Sequence, residues 1–269
     1  MSDLFNAILL GFVQGVTEFL PISSSAHMIL VRDVLSFHSA HELAFDAVLQ
    51  LATAFAVIGY FWADLYRLLQ TFIRLVTGKL VDEKEKTLLY ALMLGTIPAV
   101  VGGLLLEHLM ETSFRNPLYV AFALIVGSAL FAYAEYMFTL GKRFPLSVKS
   151  GMMVGFFQVL ALVPGVSRSG ATISGGLLLG LTRIEATRFA FLLSIPILLG
   201  SGLKKFVEIL HAPGDVSFIA LGAGAFVSFA VGLLAIHFLL IFVRNHTLWP
   251  FIWYRLALAA VVVGYVFWG

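Results

Sequence analysis

Between Gly11 and His27 an otherwise apolar stretch carries an amide, a carboxylate, three hydroxyls and an imidazole: Gln14, Glu18, Ser23, Ser24, Ser25 and His27. Gln14 and Glu18 are four apart, so on a helix they share one face. Pro21 ends that helix, and the serines after it are good caps for a new one, whose first turns carry Ser24 and His27 three apart on a single face. The spacing therefore predicts a helix, a break and a helix, with polar groups at the break. Ionisable groups at membrane depth are costly and point to function, and broken backbone is tolerated there only where it lines a cavity.

A second stretch, Pro164-Gly-Val-Ser-Arg-Ser-Gly-Ala-Thr172, carries the complementary chemistry. Gly165 and Gly170 let backbone come close to a ligand. Ser167 and Ser169 sit at a predicted helix start, where N–H groups and the dipole favour an anion, and Arg168 offers a planar fork for phosphate oxygens. This reads as a phosphate cradle. In an apolar setting Arg168 needs an anion. Glu18 or a bound ligand can supply it if the two stretches meet, and a ligand phosphate is the preferred partner over a permanent ion pair.

Composition sets the class in which this chemistry operates. Of 269 residues 60% are hydrophobic and 12% charged, and mean hydropathy is +0.99, against roughly 25% charged in soluble domains. The expected fold class is an all-α polytopic membrane protein. A net charge of +2, dispersed along the chain, suggests no nucleic-acid partner. Zero cysteines exclude disulfides, thiolate metal sites and a cysteine nucleophile. The start, Met-Ser-Asp-Leu-Phe-Asn, lacks the basic region and cleavage site of a signal peptide, so the first apolar run is expected to stay in the mature protein.

Positioning the two polar breaks falls to the segments around them. Leu4–Glu18 and Ser24–Leu35 are each short of the ~20 residues needed to cross a bilayer, but joined by a break they make one re-entrant hairpin. Spans follow at about Leu43–Trp62, running on amphipathically to Thr77, then Leu88–Leu106 and Leu118–Phe138. The opening pattern then returns: Gly11-x-x-Gln14 matches Gly155-x-x-Gln158 at an offset of 144, and Pro21-Ile-Ser-Ser-Ser-Ala-His27 matches Pro164–Gly170 at 143. A second hairpin is predicted at Val148–Leu181, with spans at about Ile184–Leu203, Val216–Phe242 and Trp249–Trp268. The expectation is one integral domain, residues 1–269, with repeats at 1–140 and 145–269. Each repeat is a hairpin plus three spans, giving six spans and about ten helices. Three spans is odd, so the second repeat enters from the opposite face, an inverted topology whose hairpins can meet tip to tip.

Loop charge orients the chain. The side of the N-terminus holds Arg32, Arg115, Lys204 and Lys205. The other side holds Arg67, Arg74, Lys79, Lys84, Lys86, Lys142, Arg143, Lys149, Arg183, Arg188 and Arg244. The richer side is expected to be cytoplasmic, so both termini and the mouth of the first hairpin face outward.

These residues resemble the undecaprenyl-diphosphate phosphatases, also called bacitracin-resistance proteins. That family is marked by Glu/Gln-x-x-x-Glu followed by Ser-Ser and His, and by Pro-Gly-x-Ser-Arg-Ser-x-x-Thr. Both stand here, as Gln14-Gly-Val-Thr-Glu18 with Ser23, Ser24 and His27, and as Pro164–Thr172. Gln14 stands where well-known members often have Glu, and Ala26 where they often have Gly. The resemblance implies hydrolysis of a C55 isoprenyl diphosphate to its monophosphate at an outward-facing site of the bacterial plasma membrane. It also implies recycling of the carrier lipid for peptidoglycan synthesis, and bacitracin resistance. On this reading Glu18, Ser24, His27 and Arg168 are catalytic, and Ser23, Ser25, Gly165, Ser167, Arg168, Ser169, Gly170 and Thr172 bind the diphosphate. Glu18 with Gln14 would position a divalent cation, magnesium with calcium as the alternative, since oxygen ligands suit both. His27 can take a proton from a nucleophile or give one to a leaving oxygen. Ser24 is favoured as the nucleophile, because Ser23 and Ser25 suffice as caps; the alternative is a water activated by His27. Expected partners are the isoprenyl diphosphate, membrane lipids and, if the chain is a homodimer, a second copy. The competing class is a secondary transporter or isoprenyl-phosphate flippase, built on the same inverted repeats.

Other polar residues read more blandly. Asp46 and Gln50, four apart at the outer end of the first span, can extend the site, but an interfacial solvated pair is the preferred reading. Glu135, Lys204, Lys205 and Arg255 are expected to snorkel from span ends. Trp62, Trp249, Trp253 and Tyr254 read as an interfacial belt, and Gly175, Gly176 and Gly180 as close-packing positions.

Overall fold

The computed structural model describes residues 3–35, 42–111, 116–210 and 217–268. The connections expected around 36–41 and 112–115, the segment 211–216 with the expected span start at Val216, and Met1, Ser2 and Gly269 lie outside the described residues. Among the described residues there are eleven helices and no strand: α1 (Asp3–Phe19), α2 (Ser24–Leu35), α3 (Glu42–Tyr60), α4 (Trp62–Val76), α5 (Glu83–Glu111), α6 (Pro117–Leu140), α7 (Val148–Leu160), α8 (Arg168–Leu178), α9 (Arg183–Leu210), α10 (Phe218–Asn245) and α11 (Trp249–Trp268).

The two short pairs α1/α2 and α7/α8 are the predicted hairpins. Five longer helices, α5, α6, α9, α10 and α11, are apolar and long enough to cross a membrane. The sixth candidate is the bent pair of α3 and α4, of which α3 has 19 residues that rise about 28 Å. The amphipathic continuation of α3 is not collinear, which corrects the expected ten helices to eleven. The chain bends by 78° between α3 and α4. Asp64 on α4 then pairs with Arg67 at 2.6 Å and with Arg188 of α9 at 2.9 Å, holding α4 across the end of the bundle. Large apolar side chains such as Leu104, Phe122, Phe226 and Val261 are exposed along the spans, the surface expected of a chain solvated by lipid.

Helix ends follow local chemistry. Asn116 caps α6 with Pro117 at its first turn, Ser147 and Ser150 form a capping box on α7, and Ser217 caps α10. Where helices cross, missing side chains let backbones touch. A Cβ on Gly11 of α1 would lie 2.2 Å from the Gly224 carbonyl oxygen of α10, and one on Gly155 of α7 would lie 2.1 Å from that of Gly95 of α5. The first hairpin thus locks onto a helix of the second half, and the second hairpin onto a helix of the first. Such small-residue crossings are how helices pack tightly in lipid.

The main apolar core gathers beneath the hairpin tips, around Phe19, Phe61, Phe131, Ile173, Phe191, Leu239 and Leu248. Gly175 and Gly176 are packing positions as expected, facing the Phe157 ring and Ala186. Gly180 is closely packed too, since a Cβ there would lie 2.6 Å from the Phe144 ring, and its φ of +89° also makes it the turn residue leaving α8.

Candidate active site

The tips of the two hairpins meet in the interior. The Ser25 hydroxyl accepts from the Gly165 N–H at 3.3 Å, the Ser169 hydroxyl donates to the Leu20 carbonyl at 3.2 Å, and Arg168 donates to Glu18 at 3.1 Å. Each break is built the same way. Ser23 and Ser167 both have φ of 75°, the only non-glycine residues with positive φ among those described. In each half this serine's hydroxyl lies 3.2 Å from the serine two residues on, Ser25 or Ser169. Each also accepts from the N–H three residues on, Ala26 at 3.5 Å and Gly170 at 3.2 Å. Positive φ at serine costs on the order of 1–3 kcal/mol and persists only where surroundings impose it. Here the cap at the start of the following helix and the facing tip impose it.

This shared geometry corrects the repeat register. Aligning proline with proline gave an offset of 143 for the serine motif, whereas the strained serines and their bonds align at 144, the same offset as the glycine and glutamine positions. Ser24 therefore corresponds to Arg168, and Pro21 to Gly165.

Glu18 is the centre of the site. It is buried at 8% exposure. One carboxylate oxygen accepts from Arg168; the other accepts from Ser24 at 2.7 Å and from the Gln14 amide at 2.8 Å. Arg168, for which a ligand phosphate is the preferred partner from sequence, is thus ion-paired with Glu18, and among the described residues that carboxylate is the only hydrogen-bond partner of its guanidinium. Thr172 turns back to its own helix, its hydroxyl donating to the Arg168 carbonyl at 2.7 Å.

His27 does not face Ser24 as the expected base would. Its Nδ1 lies 2.7 Å from the Ser23 carbonyl and its Nε2 2.7 Å from the Tyr254 hydroxyl. A carbonyl only accepts, so Nδ1 carries a proton, and in the neutral ring Nε2 then accepts from Tyr254. The rings of His27 and Tyr254 stack with centroids 5.6 Å apart. Tyr254 is therefore part of the support for the first break as well as a boundary aromatic.

Arg255, expected at a membrane surface, is fully buried. Its guanidinium donates to the Ser128 hydroxyl at 3.0 Å, to the Leu124 carbonyl at 3.2 Å, to Gly165 at 3.2 Å and to Pro21 at 3.5 Å. Pro21 and Gly165 are equivalent positions, so one cation ties both breaks. It has no carboxylate partner among the described residues, and a Cβ on Gly127 would lie 2.3 Å from it, so that glycine makes its room. The sequence signal was a lone cation in an apolar helix. Glu135 is the second correction: it is buried and held by Arg183 at 2.5 and 2.9 Å and by the Leu248 N–H at 2.9 Å.

A cavity of about 500 Å³ opens onto the tips. Gln14, Glu18, Ser23, Ser24, Ser25, Ser167 and Arg168 form its polar end. Apolar walls come from α2, α5, α9 and the turn that follows α7. Asp46, Gln50, Lys204 and Lys205 also line it, so Asp46 and Gln50 extend the site rather than standing apart from it; Asp46 is ion-paired with the buried Arg32. Among the described residues no group of three or more His, Asp and Glu side chains could cage a metal. Glu18 and Gln14 supply one carboxylate and one amide, a set that fits an oxygen-loving ion sharing its shell with phosphate oxygens and water.

A buried carboxylate joined to a hydroxyl and a guanidinium, at the end of a cavity with apolar walls inside a bundle of spans, defines an integral membrane protein equipped to handle an anionic headgroup on an apolar chain. The chain belongs to the family described as Bacitracin resistance protein BacA, which matches residues 7–261. Curated relatives named undecaprenyl-diphosphatase are similar over nearly their whole lengths. The protein of Micrococcus luteus is 41% identical over 262 residues, covering 96% of this chain and 95% of the relative. That of Rubrobacter xylanophilus is 42% identical over 269 residues, covering 97% and 98%. That of Trichlorobacter lovleyi is 43% identical over 260 residues, covering 95% and 94%.

Proposed function

We propose that this chain is an undecaprenyl-diphosphate phosphatase, cleaving C55 isoprenyl diphosphate to the monophosphate and inorganic phosphate. The observation that carries the reading is the convergence of Ser24 and Arg168 on Glu18 at the polar end of the cavity. The diphosphate enters this end. Its oxygens take the N–H groups that start α8 and the donors of Arg168 left free by Glu18, which offset charge that builds on the phosphoryl group.

Ser24 Oγ attacks the terminal phosphorus while its proton passes to Glu18. The bond between phosphorus and the bridging oxygen breaks, and the departing lipid monophosphate takes that proton. Water then attacks the phosphoserine, giving its proton to Glu18, and Ser24 regains a proton as phosphate leaves. His27 acts one step back: by holding the Ser23 carbonyl it fixes the strained backbone that aims Ser24. Glu18 and Gln14 would hold magnesium, or calcium in its place, against the diphosphate. The ion would neutralise phosphate charge.

Loop charge supports a site facing outward from the bacterial plasma membrane, with both termini on that face. There hydrolysis would recycle the carrier lipid for cell-wall synthesis and confer bacitracin resistance. The test is phosphate release from a long-chain isoprenyl diphosphate by purified protein. Release with the monophosphate as co-product, lost on chelation and restored by magnesium, is expected. No release overturns the activity, and release indifferent to chelator removes the ion from it.

A further inference from the structure

We infer that Gly103 of α5 and Gly200 of α9 set the passage for the isoprenyl chain and thereby the preference for long-chain over short-chain substrate. This deepens the proposed activity and rests on it. The two helices touch near their middles, where a Cβ on Gly95 would lie 3.1 Å from the Leu193 side chain. Eight residues further along α5 and seven along α9, about two turns in each, a Cβ on Gly103 or Gly200 would meet nothing within 4 Å. The helices therefore diverge as a wedge, and both glycines line the cavity inside it.

Neither glycine has a structural reason to lack a side chain. Both are helical, neither has a positive φ and no backbone presses on either. Glycine weakens a helix relative to alanine, so its presence at both walls of the wedge serves the space rather than the fold. The space has a definite occupant. The polar end of the cavity takes an anionic headgroup, and about 500 Å³ is a volume for a small molecule, far below that of eleven isoprene units. Most of the chain must lie outside the cavity and leave through a side wall. The wedge leads outward past Val100 and Leu104, which are 42% and 73% exposed, so its walls continue into the lipid-facing surface.

Replacing either glycine with leucine should narrow the passage without touching Glu18, Ser24 or Arg168. The experiment measures phosphate release by wild type, Gly103→Leu, Gly200→Leu and the double variant on C55 and C15 isoprenyl diphosphates. Gly222→Leu on α10 is the control, since a Cβ there also meets nothing within 4 Å but lies outside the cavity. Turnover of the C55 substrate should fall by at least about tenfold in the double variant, the scale on which pockets discriminate size, through a raised KM. C15 turnover should stay within about twofold, which also shows that the fold is intact. Unchanged C55 turnover, or an equal loss on both substrates, overturns the inference. Absence of activity in the wild type removes the phosphatase reading itself and the inference with it.

Discussion

Ser24 and Arg168 occupy the same position in the two hairpins, each one residue after a serine with φ of 75°, and they donate to opposite oxygens of the Glu18 carboxylate. A duplicated backbone has diverged at this position into a hydroxyl in one half and a cation in the other. The strained serine before each turns the following side chain into the meeting point of the tips, so one backbone device delivers both a group that attacks and a group that holds charge.

The fork of Arg168 should matter more than its charge. Arg168→Lys keeps a cation but loses the planar array that can hold Glu18 and a phosphate together, so phosphate release should fall at least about tenfold, the size of a lost charge-assisted bond of roughly 1.5 kcal/mol. Protein yield and thermal midpoint should change little, because the residue is partly exposed to the cavity. Near-normal turnover would mean that a point charge is sufficient.

The hairpins were legible in the sequence because their signals are local: short apolar runs, prolines, serine caps and a recurring Gly-x-x-Gln. The need of Arg168 for an anion was legible, since an intramembrane cation needs one, but Glu18 stood as the second choice behind a ligand phosphate. The 78° bend after α3 was not, because Phe61 is neither glycine nor proline, and Gly59, two residues earlier, is a weak signal, since a helix tolerates an isolated glycine. Nor was the role of Arg255. A cation six residues into an apolar helix reads equally as snorkelling or buried, and only packing against Gly127 and the two breaks decides. The pairing of Ser24 with Glu18 rather than His27 was equally hidden, since the helix face shared by Ser24 and His27 says nothing of what each group meets across the tips.

Arg255 should behave as a tie between the halves. In Arg255→Met the Pro21, Gly165 and Leu124 carbonyls and the Ser128 hydroxyl lose a buried donor, each loss worth about 1–3 kcal/mol where it goes unreplaced. The thermal midpoint in detergent should drop clearly, with turnover falling alongside it. Arg255→Lys, which keeps the charge but reaches fewer of the four acceptors, should lie between. A midpoint for Arg255→Met equal to wild type would show that the breaks hold without it.

Orientation is open to direct labelling, because the chain has no cysteine to interfere. Asp82→Cys, in the charged loop before α5, should resist a membrane-impermeant thiol reagent in intact cells and react after permeabilisation. Reaction in intact cells would reverse the orientation and turn the cavity mouth inward.

The nucleophile is the sharpest test, because structure and sequence pointed to different partners for Ser24. The hydroxyl donates to Glu18 at 2.7 Å, whereas both ring nitrogens of His27 are engaged by Ser23 and Tyr254. If Ser24 attacks with Glu18 as proton acceptor, Ser24→Ala should be inactive while still binding lipid diphosphate, since Arg168 and the start of α8 are untouched. Glu18→Gln should lose about 100-fold or more, the scale of a missing general base. His27→Gln should lose less, because an amide can still donate to the Ser23 carbonyl and hold the break. Acid-quenched reactions with substrate labelled in the terminal phosphate should leave label on Ser24 in the wild type and none in Ser24→Ala. Several per cent of wild-type turnover in Ser24→Ala, together with a deeper loss in His27→Gln than in Glu18→Gln, would rule out the covalent route and give the attack to a water activated by the imidazole.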